Sequence, residues 1–206
     1  GKSTLLRLLA GLEDPAAGAF VLDGRETLTT LRYESWEEQV AYIPQDPTIF
    51  HASLRENLTF YNPQASDEHL HAVIEKLGLS ELLVQLPQGL DTLIGEGARG
   101  LSGGQAQRIA LARVVLDERK RIILFDEPTA HLDIETEMEL KQAMVEVMQE
   151  RLVVFATHRL HWLDTLDYLL VLEEGKLVEQ GTTTQLLEST THFATLVRAL
   201  CGGEAA

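Results

Sequence analysis

The chain has 206 residues, of which 45% are hydrophobic and 24% are charged, a balance that indicates a folded domain and excludes a disordered chain. Its formal net charge of -15 opposes the binding of a polyanion, so we expect no nucleic-acid partner. No apolar run reaches the roughly 20 residues that a membrane-spanning helix needs, and we expect the chain by itself to be soluble.

Alternating helix-like and strand-like segments predict an α/β fold with a helical insertion. In the first half, the pattern predicts a helix over residues 2–10, strands over 19–22 and 40–43, and helices over 66–78 and 80–86. In the second half, it predicts a helix over 102–116, a buried strand over 122–125, a helix over 133–150, a strand over 152–156, a hairpin over 168–178 and a helix around 193–200. The apolar positions expected in the helix over 133–150 are Met138, Ala143, Val145 and Met148.

The first predicted helix opens with Gly1, Lys2, Ser3 and Thr4, which match the last four positions of the phosphate-binding loop G-x-x-x-x-G-K-[ST]. In such a loop, glycine lets the backbone approach a phosphate, lysine reaches the β and γ phosphates, and serine holds Mg²⁺. The amide groups at the start of the helix add to the attraction. On its own the match is weak, because serine and threonine are also favoured near helix starts.

The buried strand predicted over residues 122–125 delivers Asp126 and Glu127 at its carboxyl end. In nucleotide hydrolases of this class, the first acid secures Mg²⁺ and the second polarises the water that attacks the γ-phosphate. A buried strand that ends in an acidic turn is the alternative, and the acidic pair alone does not exclude it.

A third motif, Leu-Ser-Gly-Gly-Gln at residues 101–105, resembles the signature motif of ABC-type ATPases. The hydroxyl of Ser102 and the glycines Gly103 and Gly104, followed by Gln105, open a helix and can form an anion site. The resemblance implies that this site grips the γ-phosphate of ATP bound to an opposite subunit, so hydrolysis requires a dimer. A flexible turn is the alternative, but the order and spacing of the motifs match the family.

The resemblance implies roles for three more residues. Gln45 resembles the Q-loop glutamine, which contacts Mg²⁺ or the lytic water and touches the membrane domain. Asp133 resembles the D-loop aspartate at the dimer seam, although it can also be a helix N-cap. His158 resembles the switch histidine that contacts the γ-phosphate and steadies the catalytic glutamate. The implied cofactors are ATP and Mg²⁺, with Ser3, Gln45 and Asp126 at the metal.

The implied fold is a P-loop NTPase core of ABC type, truncated at the amino end within the Walker A loop. The core would comprise residues 1–65 and 117–206, with a helical subdomain at about 66–116. The family has further parts before the position of Gly1, among them a strand expected beside residues 122–125, and without that strand we expect part of the sheet to be unpaired. We therefore expect this chain to bind ATP weakly and to be weak or inactive as an ATPase by itself.

Two segments narrow the resemblance to exporter-type ABC proteins. Residues 47–58 resemble the stretch after the exporter Q-loop, and residues 95–97 resemble the exporter X-loop. Residues 104–108 and 156–162 resemble a thiol exporter subunit required for cytochrome bd assembly, which implies cysteine or glutathione as cargo. The resemblance also implies a fused transmembrane domain, a second nucleotide-binding domain in a homo- or heterodimer, and a place on the cytoplasmic face of a bacterial inner membrane.

Two other functions stay open. A chromosome-maintenance ATPase shares the phosphate loop, the signature and the acidic pair, but long coiled coils interrupt its core, and no sustained heptads occur here. A non-catalytic half of a heterodimeric transporter also shares the motifs, although Glu127 and His158 favour a competent site.

Overall fold

The chain forms two compact units in the computed structural model, which describes residues 1–95, 100–149, 151–188, 193–195 and 197. The smaller unit contains Gly1–Leu5 and Ala156–Ala206, and the larger unit contains Leu6–Phe155. Within the described ranges, no helix combines the length and the apolar character needed to cross a bilayer.

Most helices and strands belong to the larger unit. Its strands are β1 (Phe20–Leu22), β2 (Glu26–Leu28), β3 (Val40–Ile43), β4 (Ala52–Ser53), β5 (Leu93–Ile94), β6 (Ile122–Asp126) and β7 (Leu152–Ala156). Its helices are α1 (Lys2–Leu9), whose first four residues belong to the smaller unit, α2 (Glu34–Glu37), α3 (Leu54–Leu58), α4 (Asp67–Lys76), α5 (Ser80–Gln85), α6 (Gly103–Val115) and α7 (Ile134–Met148), with a 3₁₀ turn at Gly89–Asp91. Every element predicted over residues 2–156 is confirmed. The elements β2, α2, β4, α3 and β5 were not predicted, because such short segments carry little periodic signal.

The strands β3, β6 and β7 form a three-stranded sheet in the order β3–β6–β7. The β3 and β6 strands are parallel, with Val40 opposite Ile122 and Ile43 opposite Phe125. The side chain of Phe125 is fully buried, as the continuous apolar run in β6 predicts. The expectation that a missing strand leaves residues 122–125 partly unpaired is wrong, because β3 and β7 lie on the two sides of β6.

The three helices α4, α5 and α6 lie within the predicted insertion over residues 66–116, and two of them have side-chain caps. The Ser66 hydroxyl accepts a hydrogen bond from the His69 amide at the start of α4. Helix α6 has a full capping box, because Ser102 accepts from the Gln105 amide while the Gln105 side chain accepts from the Ser102 amide. These caps fix the starts of the helices, whereas the exact limits of a separate helical subdomain remain a prediction.

The buried face of α7 differs from the face expected from the sequence. Its buried residues are Glu137, Leu140, Ala143, Met144 and Val147. Of the expected apolar positions only Ala143 is fully buried, and Met138 is 52% exposed. The buried face differs because Glu137 is part of it. The Glu137 carboxylate is buried and accepts a hydrogen bond from the Thr129 hydroxyl at 2.5 Å. A satisfied polar group thereby occupies a position that hydropathy alone assigns to solvent.

The smaller unit has its own apolar core. It contains β8 (Leu169–Glu173), β9 (Lys176–Gly181), α8 (Thr183–Glu188) and a 3₁₀ segment at Leu160–Thr165. The β8 and β9 strands form the predicted antiparallel hairpin, and its core cluster consists of Leu169, Leu186 and Phe193. Helix α8 was not predicted. Of the helix expected around 193–200, only residues 193–195 and 197 are described, and these are helical.

Candidate functional site

The acidic pair lies where the buried strand β6 ends. Asp126 is the last residue of β6 and is only 6% exposed. Glu127 follows it with a φ of 49°, which is in the left-handed region that residues other than glycine rarely adopt. Such a conformation costs roughly 1–3 kcal/mol and persists only where the surrounding structure holds it. The first turn after β6 is therefore a strained segment that carries a carboxylate, as many functional sites do.

Tyr42 on β3 contacts the first acid of the pair. Its hydroxyl donates a hydrogen bond to Asp126 Oδ2 at 2.8 Å. Burial, followed by the hydrogen bond and the charge of Asp126, raises the pKa of Tyr42 to about 12. The hydroxyl therefore remains a donor to this carboxylate across the physiological pH range. Sequence reasoning missed Tyr42, and only the parallel pairing of β3 with β6 indicates its position beside the acidic pair.

Gln45, the predicted Q-loop residue, is held by two other residues. Its side-chain nitrogen lies 2.8 Å from Nε2 of His131, and Nδ1 of His131 lies 3.0 Å from Oδ1 of Asp46. Its backbone carbonyl accepts a hydrogen bond of 2.8 Å from the buried side chain of Gln107 on α6. These residues line a cavity of about 120 Å³ together with Gly103, Ala106 and Leu132.

The signature motif lies against the start of α7. A Cβ atom on Gly103 would lie 3.2 Å from a methyl group of Leu132, and one on Gly104 would lie 2.6 Å from Cγ2 of Thr136. Asp133, the predicted D-loop residue, is the N-cap of α7 and accepts a hydrogen bond from the Thr136 amide at 2.9 Å. That backbone contact is the main cause that lowers the pKa of Asp133. The cap role of Asp133 is thus present, and its place at a dimer seam stays a prediction.

Residues 47–58 are held by a buried pair from two helices. Asn57 on α3 donates to the Phe50 carbonyl and accepts from the Phe50 amide, both at 2.9 Å. The guanidinium of Arg113 on α6 donates to Asn57 Oδ1, to the Asn57 carbonyl and to the Thr48 carbonyl. It also lies over the rings of Phe50 and Phe60. The exporter-like stretch after Gln45 is therefore an ordered part of the larger unit.

The phosphate-loop remnant and the switch histidine belong to the smaller unit. Gly1, Lys2, Ser3 and Thr4 stand at the start of α1, whose first turn includes a hydrogen bond of 3.1 Å from the Leu5 amide to the Gly1 carbonyl. His158 lies two residues beyond the last residue of β7. The two units carry different parts of the predicted site, so the convergence of Lys2 and His158 with the acidic pair remains a prediction.

The oxygen donors of the site suit magnesium. Mg²⁺ prefers hard oxygen ligands and is commonly held by one or two protein groups together with phosphate oxygens. In the larger unit Asp126 supplies a carboxylate and Gln45 an amide oxygen, whereas the predicted role of Ser3, which lies in the smaller unit, stays a prediction. Within the described ranges, no group of three His, Cys, Asp or Glu side chains could hold a metal ion by itself. The Asp126 carboxylate and the Gln45 amide are therefore oxygen donors of the kind that Mg²⁺ prefers.

Comparison with protein families matches residues 1–130 to the ABC transporter family. This match covers more than half of the chain and includes the phosphate-loop remnant, Gln45, the signature motif and the acidic pair. The chain belongs to the ABC transporter family. The resemblance drawn from the motifs is thereby confirmed, as is the P-loop NTPase fold of ABC type.

The proteins similar to this ABC transporter domain include transporters of several kinds. Over 205 residues it is 47% identical to the glutathione/L-cysteine transport system ATP-binding/permease protein CydC of Bacillus subtilis, covering 100% of this chain and 36% of that protein. It is 38% identical to the human mitochondrial iron-sulfur clusters transporter ABCB7, covering 91% of this chain and 25% of that protein. The structure of a bacterial Atm1-family ABC exporter with ATP bound matches with a TM-score of 0.84 and 33% identity, covering 100% of this chain and 35% of that one. The chain therefore spans about a quarter to about a third of the length of these proteins.

Proposed function

We propose that this ABC transporter domain binds Mg·ATP and hydrolyses it to drive export by a membrane domain fused to it in the longer protein. The observation that carries the proposal is the acidic pair at the end of β6, with Asp126 buried against Tyr42 and Glu127 held in a left-handed conformation. The similarity to an ATP-binding/permease protein and to an ABC exporter of known structure supports the same interpretation. The intact protein would lie with this domain on the cytoplasmic face of a bacterial inner membrane.

Binding of the nucleotide falls to the start of α1 and to the end of β6. The backbone near Gly1 and the side chains of Lys2, Ser3 and Thr4 would surround the phosphates, since the amino end of an α-helix attracts anions. Asp126, Gln45 and Ser3 would hold Mg²⁺, which when bound offsets the charge of the phosphate oxygens. The Tyr42 hydroxyl orients the Asp126 carboxylate for that task.

Hydrolysis would depend on Glu127 and His158. Glu127 accepts a hydrogen bond from a water molecule and takes its proton as the water oxygen forms a bond to the γ-phosphorus. The bond between that phosphorus and the β–γ bridging oxygen breaks, and ADP leaves with the electron pair. His158 donates to an oxygen of the γ-phosphate and stabilises the charge that develops there.

A second nucleotide-binding domain would complete each site. Ser102, Gly103, Gly104 and Gln105 at the start of α6 would contact the γ-phosphate held by the partner, and Asp133 would lie at the seam. The partner is a second copy or a related subunit. Closure on ATP would move the membrane domains, and hydrolysis would reset them.

The first experiment replaces the proposed base. Glu127→Gln in the full-length transporter should keep ATP bound, hold the dimer together and lower the rate of hydrolysis at least a hundredfold, the scale of a lost general base. Size-exclusion chromatography with radiolabelled ATP and a phosphate-release assay measure both effects. Hydrolysis at an unchanged rate would favour a non-catalytic half of a heterodimer.

Two serines that cap helices in the same way allow a test of the role proposed for the signature motif at residues 101–105. Ser53 and Ser102 both close a capping box at the start of a helix, so Ser53→Ala and Ser102→Ala should each cost about 1 kcal/mol of stability. Only Ser102→Ala should also abolish ATP-dependent dimerisation, measured by analytical ultracentrifugation on the Glu127→Gln background. Equal dimerisation of the two variants would contradict the role of the signature in a composite site.

The proposed cargo is a thiol such as cysteine or glutathione. Support comes from the 47% identity to the glutathione/L-cysteine protein of Bacillus subtilis and from the 37% identity to the Escherichia coli protein of the same name. Inverted membrane vesicles that contain the full-length transporter should accumulate labelled glutathione or cysteine when ATP is supplied, and vesicles with Glu127→Gln should not. If the vesicles take up neither glutathione nor cysteine when ATP is supplied, the proposed cargo is wrong.

A further inference from the structure

The motifs assign no role to His131, which lies in the loop between β6 and α7. Its imidazole contacts two adjacent residues of the loop after β3. Nδ1 lies 3.0 Å from Oδ1 of Asp46, and Nε2 lies 2.8 Å from the side-chain nitrogen of Gln45. All three residues belong to the larger unit, so the geometry of this contact is set within one body.

The two contacts determine which nitrogen of the imidazole carries the proton. A carboxylate accepts hydrogen bonds and cannot donate them, so Nδ1 of His131 is the donor to Asp46. In the neutral ring Nε2 is then an acceptor. Of the two ends of the Gln45 amide, only the NH₂ group can donate to that acceptor.

A fixed orientation of the Gln45 side chain follows. Because its nitrogen is directed to His131, its carbonyl oxygen faces away from the imidazole. The Gln45 backbone is fixed as well, since its carbonyl accepts a hydrogen bond from Gln107, which is only 4% exposed. An exposed glutamine without such a partner samples several rotamers and both orientations of its amide.

We propose that His131 is a positioning residue, which orients the Gln45 amide so that its carbonyl oxygen is presented to Mg²⁺, while Asp46 selects the tautomer of the imidazole. The inference rests on the proposed function, which places Gln45 at the metal. Loss of the imidazole leaves the Gln45 oxygen correctly placed for only part of the time. The Mg²⁺-dependent part of ATP binding then falls, and the part that does not involve the metal is unchanged.

Calorimetry on the full-length transporter tests this role without turnover. On the Glu127→Gln background, the affinity for ATP is measured once with Mg²⁺ and once with EDTA, and the ratio of the two affinities is compared between variants. His131→Ala should lower this ratio about three- to tenfold, the effect of one net hydrogen bond, and leave the affinity in EDTA unchanged. His131→Gln, whose own side-chain oxygen can accept from Gln45, should keep most of the ratio.

The matched control is His71→Ala, which removes an exposed histidine on α4 and should leave the ratio unchanged. A change of equal size in His71→Ala would assign the effect to the loss of any surface histidine and would overturn the proposal. Thermal unfolding of each variant excludes a general loss of structure. An equal loss for His131→Ala in Mg²⁺ and in EDTA would assign a purely structural role to this residue and would also overturn the proposal.

A double variant distinguishes positioning from an independent effect. If His131 acts through Gln45, His131→Ala should change nothing further on a Gln45→Ala background. An undiminished effect there would overturn the proposal. If Gln45→Ala lowers the ratio and His131→Ala does not, the positioning role of His131 is wrong and the metal role of Gln45 still holds. If Gln45→Ala itself leaves the ratio unchanged, the metal role of Gln45 in the proposed function fails, and the positioning role fails with it.

Discussion

A methyl group on Gly104 would lie 2.6 Å from Cγ2 of Thr136, much closer than two carbon atoms can approach. Thr136 cannot rotate away without loss, because its hydroxyl donates to Asp133 Oδ2 at 2.8 Å while its amide donates to Asp133 Oδ1. The second glycine of the signature is thus required by the packing of α6 against α7. The anion-binding role of this glycine stays a prediction beside that structural one.

Gly104→Ala is expected to destabilise the larger unit by about 1–3 kcal/mol through overpacking, despite the better helix propensity of alanine. Thr136→Ser keeps the hydroxyl and removes the methyl group, so the double variant should recover most of the loss. Urea denaturation gives the free energy of unfolding for each variant. Gly100→Ala, where nothing lies within 4 Å of the added atom, is the control. A double variant as unstable as Gly104→Ala would contradict the steric explanation.

Tyr42 gives a second prediction for a single residue, on pH dependence. The pKa of Tyr42 is about 12, above the usual value of 10.0, so the folded state binds this proton more tightly than the unfolded state does. The resulting stability is complete below about pH 10 and is lost as the pH rises towards 12. The ionisation of tyrosines is followed by absorbance at 295 nm in metal-free buffer. The difference between the titration curves of the parent and of Tyr42→Phe should give the high pKa of Tyr42.

Asp126→Asn should lower the pKa of Tyr42 while leaving it above 10, because burial is its largest cause. An unchanged pKa in Asp126→Asn would mean that the hydrogen bond does not couple the two groups.

Between elements, Arg113 joins α6 to α3 and to residues 47–58. Its guanidinium is buried, and burial is the main cause that lowers the pKa of Arg113. The charge is retained because the donors reach Asn57 and Thr48 while the planar group lies 5.1 Å from the ring centre of Phe50. A planar fork with several donors suits this arrangement, and a lysine ammonium does not.

Arg113→Lys should therefore cost about 2–4 kcal/mol of stability, because Asn57 loses a buried hydrogen bond and the Thr48 carbonyl a partly buried one. Equilibrium denaturation in urea measures this loss, with Arg25→Lys at an exposed turn as the control. Limited proteolysis should also cleave residues 47–58 more quickly in Arg113→Lys. Parent-like stability in this variant would mean that the ammonium replaces the guanidinium at these contacts.

At the scale of the whole molecule, the net charge of -15 acts against association of two copies. Repulsion between such bodies extends about 30 Å at 0.01 M salt and about 8 Å at 0.15 M salt. The contacts proposed for the composite ATP site are short-range and would be screened far less.

For the 206-residue chain with Glu127→Gln, we therefore expect the ATP-dependent dimer to become more stable as the salt concentration rises from 0.01 to 0.15 M. Analytical ultracentrifugation with saturating Mg·ATP measures the dimer dissociation constant, and the same series with a neutral osmolyte is the control. Steady weakening of the dimer with salt would mean that attraction between charged groups of the two copies dominates.

Local patterns in the amino-acid sequence are enough to predict several helices, one buried strand and the motif residues. The period of apolar residues predicted α1, α6 and α7 to within about two residues of their ends, because a helix repeats every 3.6 residues. The continuous apolar run of β6 placed Asp126 and Glu127 at the end of a buried strand. The residue types and spacing of the motifs identified the family, since phosphate and metal chemistry requires glycine, lysine and carboxylates in a set order.

The contacts between residues that are distant in the sequence depend on long-range packing. Tyr42 and Asp126 are 84 positions apart, and Gln45 and His131 are 86 apart, so no local period connects them. Their contacts follow from the parallel register of β3 with β6 and from the loops at the shared edge of the two strands. The placement of β7 beside β6 has the same origin. Strand order and register depend on long-range packing, and for this reason local pattern predicted the motif residues but not the side chains that hold them in place.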